Sequence, residues 1–249
     1  MIQYTVFDSE EDLAREFAAQ VAAIFRDKPT GVLGTATGSS PLEVYRVLGR
    51  LVEIGAVSLK EVKTFQLDEY VGLPEGHGQS YRRFIEENLV ALTDLRSYNV
   101  NVPNPHLVGT PGVDTLDEAA AAYDAAIKDA GGVDFQILGI GSDGHIAFNE
   151  PGTPLDSRTH VANLAEQTII DNARFFGGDR SQVPTRCITQ GLGTIMEARV
   201  IGLIALGENK AQAVRDMISG PVTPDCPASV LQNHPNVRVY LDKGAASLL

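Results

Sequence analysis

Gly31-Val32-Leu33-Gly34-Thr35-Ala36-Thr37-Gly38-Ser39-Ser40-Pro41-Leu42 runs a short apolar segment into a loop of small hydroxyl residues and then a helix start. The first four residues have the size of a buried strand, and Pro41 carries the fixed φ suited to a first helical position. Leu42, Tyr45, Leu48 and Val52 follow at helical spacing. The pattern recurs along the chain. Residues 62–67 read as a strand and 80–90 as a helix. Residues 115–130 read as a helix closed by Gly131-Gly132, and 135–140 as a strand. Residues 199–206 form the next strand, 210–219 a helix and 237–241 a last strand. Upstream, Ser9-Glu10-Glu11-Asp12 resembles a capping box, and Leu13, Phe17, Val21, Ile24 and Phe25 form one apolar helical face. Strands separated by helices predict a single α/β domain over residues 1–249. Its sheet is doubly wound and mostly parallel, with helices on both faces, in the manner of a Rossmann fold. Residues 151–190 have weak periodicity and scattered Pro, Gly, Arg and Asn, which predicts a covering segment, with 158–187 as the candidate lid.

The chain has 249 residues, a length that suits one such domain without disulfide or metal staples. With 20 Lys+Arg against 32 Asp+Glu the formal charge is −12, which argues against nucleic acid or an anionic membrane surface as partner. It leaves room for a small anion met by a few local cations. The N-terminal segment has acids where a signal peptide needs a basic region, and the densest apolar run, residues 200–206, is strand-sized. Cys187 and Cys226 have no metal-ligand or CxxC spacing. These features predict a cytoplasmic protein with two structural thiols and no bound metal.

Ligands of parallel sheets bind beyond the carboxyl ends of the strands, and polar residues gather at four such ends here. The loop Thr37-Gly38-Ser39-Ser40 offers backbone amides and hydroxyls at a helix N-terminus, which reads as a phosphate cradle or as a tight turn with a serine cap. Asp68-Glu69 follows an apolar strand, as a general base and its neighbour or as acids capping the next turn. Gly139-Ile140-Gly141-Ser142-Asp143-Gly144 matches a dinucleotide fingerprint, but Pro151 and Gly152 stop the helix that such a fingerprint requires. In its place Asp143, His145 and Glu150 cluster, so that two carboxylates can flank one imidazole. Lys210 stands at a helix start, where a cation opposes the dipole and a bound anion would offset it. Arg174, in the covering segment, is a second candidate anion clamp.

Taken together these segments resemble the glucosamine-6-phosphate deaminase family. Thr35-Ala-Thr-Gly-Ser-Ser-Pro, Val62-Lys-Thr-Phe-Gln-Leu-Asp-Glu-Tyr-Val-Gly-Leu-Pro and Gly139-Ile-Gly-Ser-Asp-Gly-His-Ile-Ala-Phe-Asn-Glu-Pro match its hallmark segments in order. Ser157-Arg-Thr, Asn172-Ala-Arg-Phe-Phe, Gln182-Val-Pro and Gly207-Glu-Asn-Lys-Ala correspond as well, so the similarity covers nearly the whole chain. The resemblance implies an enzyme of amino-sugar catabolism that hydrolyses a C–N bond, turning glucosamine 6-phosphate and water into fructose 6-phosphate and ammonia without a cofactor. It makes Asp68 the base at C2 and His145 the group that opens the pyranose ring, relayed by Asp143 and Glu150. It sets the phosphate against Thr37, Gly38, Ser39, Ser40, Arg174 and Lys210.

The related 6-phosphogluconolactonases are the alternative; they tend to carry Asp-Glu-Arg where Asp68-Glu69-Tyr70 stands and usually lack the Phe-Asn-Glu continuation. Sugar-phosphate-sensing regulators share the fold but need a basic recognition helix, and a dehydrogenase needs the missing helix. Some deaminases are hexamers activated by N-acetylglucosamine 6-phosphate through two basic residues, where this chain has His160 and Ala162, and through a longer C-terminal segment. The resemblance therefore implies weak or no activation here, and leaves a homo-oligomer open.

Overall fold

The computed structural model describes residues 2–249, apart from the side chains of Gln167 and Asp171. Its strands are β1 (Gln3–Phe7), β2 (Val32–Thr35), β3 (Lys63–Gln66), β4 (Asp68–Val71), β5 (Val100–Asn101), β6 (Phe135–Leu138), β7 (His160–Asn163), β8 (Arg186–Thr189), β9 (Ile201–Ala205) and β10 (Val237–Asp242). The helices are α1 (Glu10–Asp27), α2 (Leu42–Glu53), α3 (Tyr81–Asn88), α4 (Leu116–Asp129), α5 (Glu166–Asn172), α6 (Leu192–Ile195) and α7 (Ala211–Ser219). Local chemistry sets their limits. Ser9 caps α1 by accepting from the Asp12 amide, Thr115 and Glu118 form a reciprocal capping box on α4, and Gly131 and Gly132 leave α4 at positive φ.

Seven strands form one parallel sheet in the order β1-β10-β9-β6-β2-β3-β5. From β2 the chain steps outward to β3, whereas from β6 it steps the other way to β9 and β10. Right-handed crossovers then put helices on opposite faces. α1 and α2 share one face and pack on each other, while α4 and α7 cross back over the other. The core follows: Phe17 of α1 meets Phe135 edge-on at 5.4 Å and Tyr240 at 4.7 Å between ring centroids. Both α1 and its predicted apolar face are as the spacing implied, with Leu13, Phe17, Val21 and Phe25 buried.

A second sheet was not foreseen. At Leu67 the chain leaves the parallel sheet, and β4 pairs antiparallel with β8, which pairs with β7. Leu67 belongs to both layers, its amide donating to Thr35 O and its carbonyl accepting from the Gln190 amide. The segment 151–190 therefore contains two strands and a short helix, not an irregular loop. Tyr70, Phe148, Leu164, Phe176 and Cys187 form a small separate core beneath it. No helix among the described residues is long and apolar enough to cross a membrane. Both cysteines are unpaired and buried, and burial pushes the Cys187 thiol up, which makes it a poor nucleophile.

Candidate active site

The direction of winding reverses between β2 and β6, the topological switch point at which an open α/β sheet gapes beyond its carboxyl ends. A cavity of about 260 Å³ lies there. Thr37, Gly38, Ser39 and Ser40 reach it from the loop after β2, and Asp68 from the start of β4. Asp143 and His145 come from the loop after β6, Lys210 from the loop after β9 and Arg174 from the covering segment. Glu150 stands behind His145 instead of on the wall. Each residue that the resemblance assigns to catalysis or phosphate binding is thus within or directly behind one cavity.

The loop after β2 is built to receive an anion. Among the described residues nothing accepts from the amides of residues 37–40, and Gly38 turns the chain at φ +90°. The positive end of α2 follows immediately. Lys210 is the residue before α7 and lines the same cavity.

Asp68 and Glu69 are adjacent and buried, yet do different work. β-strand alternation sends them to opposite sides. Asp68 opens into the cavity. Burial, with the neighbouring Glu69 charge adding to it, raises its carboxyl well above the ordinary aspartate range. Glu69 turns away and caps α3. Its Oε1 accepts from the Tyr70 and Tyr81 amides, both at 2.9 Å, and its Oε2 from the Arg82 amide at 2.9 Å. Glu69 therefore takes the capping role considered for this pair, and Asp68 is left facing the cavity.

The loop after β6 folds tightly, with the Gly141 amide donating to His145 O and the Gly144 amide to Gly141 O. His145 Nδ1 lies 2.7 Å from Asp143 Oδ1 and 3.5 Å from Glu150 Oε2. The imidazole so close to it, with the His145 backbone amide donating to Oδ1, holds the Asp143 carboxyl below the ordinary range. A side chain at Gly141 would displace the relay residues, since a Cβ would lie 2.3 Å from two His145 ring atoms. Ala147, also on the cavity wall, sits at φ +52°, a strained conformation for a residue with a Cβ. Buried amide contacts hold that loop in place: Asn149 Nδ2 donates to Ile146 O and Gln190 O, and the Phe148 amide donates to Thr189 Oγ1. No α-helix follows β6 before β7 among the described residues, so the loop is not a dinucleotide fingerprint. Asp143, His145 and Glu150 each offer a ligand atom within 4.8 Å of the others, so this trio is also where a cation would be held. A cation there would take the Nδ1 lone pair and so displace the imidazole–carboxylate pairing.

Tyr81, Thr168 and Asn172 also line the cavity and were not among the residues the sequence assigned to the site, although Asn172 opens one of the segments that carry the resemblance. Tyr70 OH, pushed up to about 12 mainly by burial, accepts from Tyr81 OH at 3.1 Å and from Asn172 Nδ2 at 2.8 Å. This joins α3 to the covering segment across the small core. His160 and Ala162 lie on β7, the outer strand of the second sheet, and neither lines the cavity.

Comparison with known proteins adds to this geometry. The family described as glucosamine-6-phosphate isomerases/6-phosphogluconolactonase matches residues 7–240. A glucosamine-6-phosphate deaminase of Mycolicibacterium smegmatis is 53% identical over 93% of this chain and 87% of its own. One from Bifidobacterium longum is 48% identical over 100% of this chain and 93% of its own. Among solved structures, a monomeric glucosamine-6-phosphate deaminase superposes with a TM-score of 0.92 at 37% identity, covering all of both chains. A 6-phosphogluconolactonase from Trypanosoma cruzi superposes with a TM-score of 0.76 at 22% identity over 100% of this chain and 97% of that one, a likeness of fold alone. The family match spans most of the chain and the relatives cover nearly all of it, and the chain belongs to the glucosamine-6-phosphate isomerase/6-phosphogluconolactonase family.

Proposed function

We propose that the chain converts glucosamine 6-phosphate and water into fructose 6-phosphate and ammonia. The observation that carries this reading is one cavity holding three devices: a buried carboxylate of raised proton affinity, an imidazole paired with carboxylates, and an anion cradle flanked by two cationic residues. Their chemistry matches the steps. The phosphate is held by the amides of residues 37–40 with Arg174 and Lys210, and this fixes the sugar in register. Asp143 engages His145 Nδ1, so Nε2 is the nitrogen that exchanges protons. It takes the C1 hydroxyl proton and returns one to the ring oxygen, and the pyranose opens.

The open-chain aldehyde acidifies the C2 hydrogen. Asp68 removes it while the substrate's own ammonium gives a proton to the carbonyl oxygen, leaving an enolamine, and the proton held on Asp68 is then delivered to C1. The C2 iminium so formed adds water and expels ammonia, which leaves the ketone. Every proton has a carrier and no electrons leave the substrate, so the reaction calls for no cofactor. Residues 158–187 act as the cover, bringing Arg174 over the phosphate and keeping water from the intermediate.

Ammonia release from purified protein with glucosamine 6-phosphate, beside a 6-phosphogluconolactone control, tests the reading. Ammonia is the expected product, with lactone hydrolysis no faster than its spontaneous rate. Rapid lactone hydrolysis without ammonia would reverse the assignment to the alternative activity. Lys210→Ala is expected to raise KM for the sugar phosphate roughly tenfold with little change in kcat, since a hydrogen bond to a charged group is worth about 1.5–3 kcal/mol. A fall in kcat alone would remove Lys210 from the phosphate site.

A further inference from the structure

Glu150 cannot serve His145 unless something holds its carboxylate in place. Its backbone lies in the loop after β6, followed by Pro151 and Gly152, and no helix or strand contains it. Its Oε2 is buried without a hydrogen-bond partner 3.5 Å from His145 Nδ1, and Asp143 Oδ1 approaches the same nitrogen to 2.7 Å. The other oxygen, Oε1, accepts from the hydroxyl of Thr168 at 2.8 Å. Thr168 lies 18 residues further on in the sequence, in α5, and also lines the cavity.

We propose that Thr168 is a positioning residue, which pins Glu150 Oε1 so that Oε2 faces the imidazole. The geometry leaves little choice of direction. A carboxylate has no proton to give, so the hydroxyl donates, and its β-branched side chain has few rotamers with which to do so. With Oε1 fixed, rotation about the carboxylate is blocked and Oε2 stays aimed at Nδ1. The consequence reaches further than one bond. α5 is continuous with the turn carrying Arg174, so one segment holds both the relay carboxylate and a phosphate-facing cation. Asn172, one turn on, ties that segment to Tyr70 OH at 2.8 Å. Seating of the segment over an anion and alignment of the relay are then a single event.

This inference rests on the deaminase reading, and the test separates the two. Ammonia release by the unaltered protein is the control; its absence counts against that reading alone. Given that activity, Thr168→Val keeps the shape and removes the donor. It is expected to lower kcat roughly tenfold, as loss of a hydrogen bond to a charged group should, with KM and melting temperature close to unaltered. Thr168→Ser, which keeps the hydroxyl, is expected to return kcat most of the way. Unchanged kcat in Thr168→Val would overturn the proposal. So would a rise in KM alone, which would make Thr168 a substrate contact, or a failure of Thr168→Ser to rescue, which would make its role one of packing.

Discussion

Asp68→Asn is expected to lower kcat by roughly 10²–10⁴-fold, the usual worth of a positioned acid–base group, with KM for glucosamine 6-phosphate little changed. The substitution is close to isosteric, and the pocket around it is fixed from outside: Glu69 caps α3 on one side and β4 pairs with β8 on the other. Only the ability to hold a proton is lost. Two further results distinguish this from damage to the fold. Burial and the Glu69 charge raise the Asp68 carboxyl well above its ordinary value, and the base acts ionised. The acidic limb of the kcat/KM profile should therefore lie above the ordinary aspartate range of about 3.9, and should vanish in the residual activity of the variant.

The stability effect has the opposite sign. A carboxyl raised in the folded state favours folding while protonated. That contribution is present below about pH 3.9 and lost as pH rises through the raised value. At neutral pH the Asp68 charge thus costs stability, so Asp68→Asn should melt higher than the unaltered protein. Near-normal turnover would remove Asp68 from the reaction, and a lower melting temperature would show that its ionised form is structurally required.

What the sequence disclosed, and what it withheld, divides along physical lines. α1 was legible because its buried stripe of Leu13, Phe17, Val21 and Phe25 is set by one helix packing on one sheet. The Thr37-Gly38-Ser39-Ser40 and Asp143–Glu150 clusters were legible because each is contiguous and follows an apolar strand. β7 and β8 were not. β7 is largely half-exposed and β8 opens on the exposed Arg186, so neither shows the apolar run that marks a strand such as β9. β1 is exposed along most of its length at the sheet edge and gave no pattern for the same reason.

The division of labour between Asp68 and Glu69 was closed to sequence reading. It depends on Glu69 meeting amides 12 and 13 residues away. Thr168 is the extreme case, a threonine in a short helix whose meaning lies entirely in the loop that folding brings beside it. Residues acting through local chemistry were readable; residues acting through tertiary contact needed the fold.

Gly141→Ala is expected to cost about 10²-fold in kcat while the protein stays folded, because the added methyl strikes only the relay. A Cβ at this position lies 2.3 Å from His145 Cε1 and Nδ1 and 2.6 Å from Asp143 Oδ1. Ordinary contact requires about 3.5 Å, so both side chains must move by about 1 Å, a displacement that in a catalytic group is worth about 10²-fold. The backbone cannot yield in their place, since the Gly141 amide and carbonyl are both hydrogen-bonded across the turn. The ends of two side chains can yield, so the change in melting temperature should be small. The decisive measurement is a double-mutant cycle with His145→Gln. If Gly141 matters by leaving room for the imidazole, then Gly141→Ala should add almost nothing once that imidazole is gone. Additive losses in the double variant would instead place the fault elsewhere in the loop, and full activity in Gly141→Ala would show that the Asp143–His145 pairing is not required for turnover.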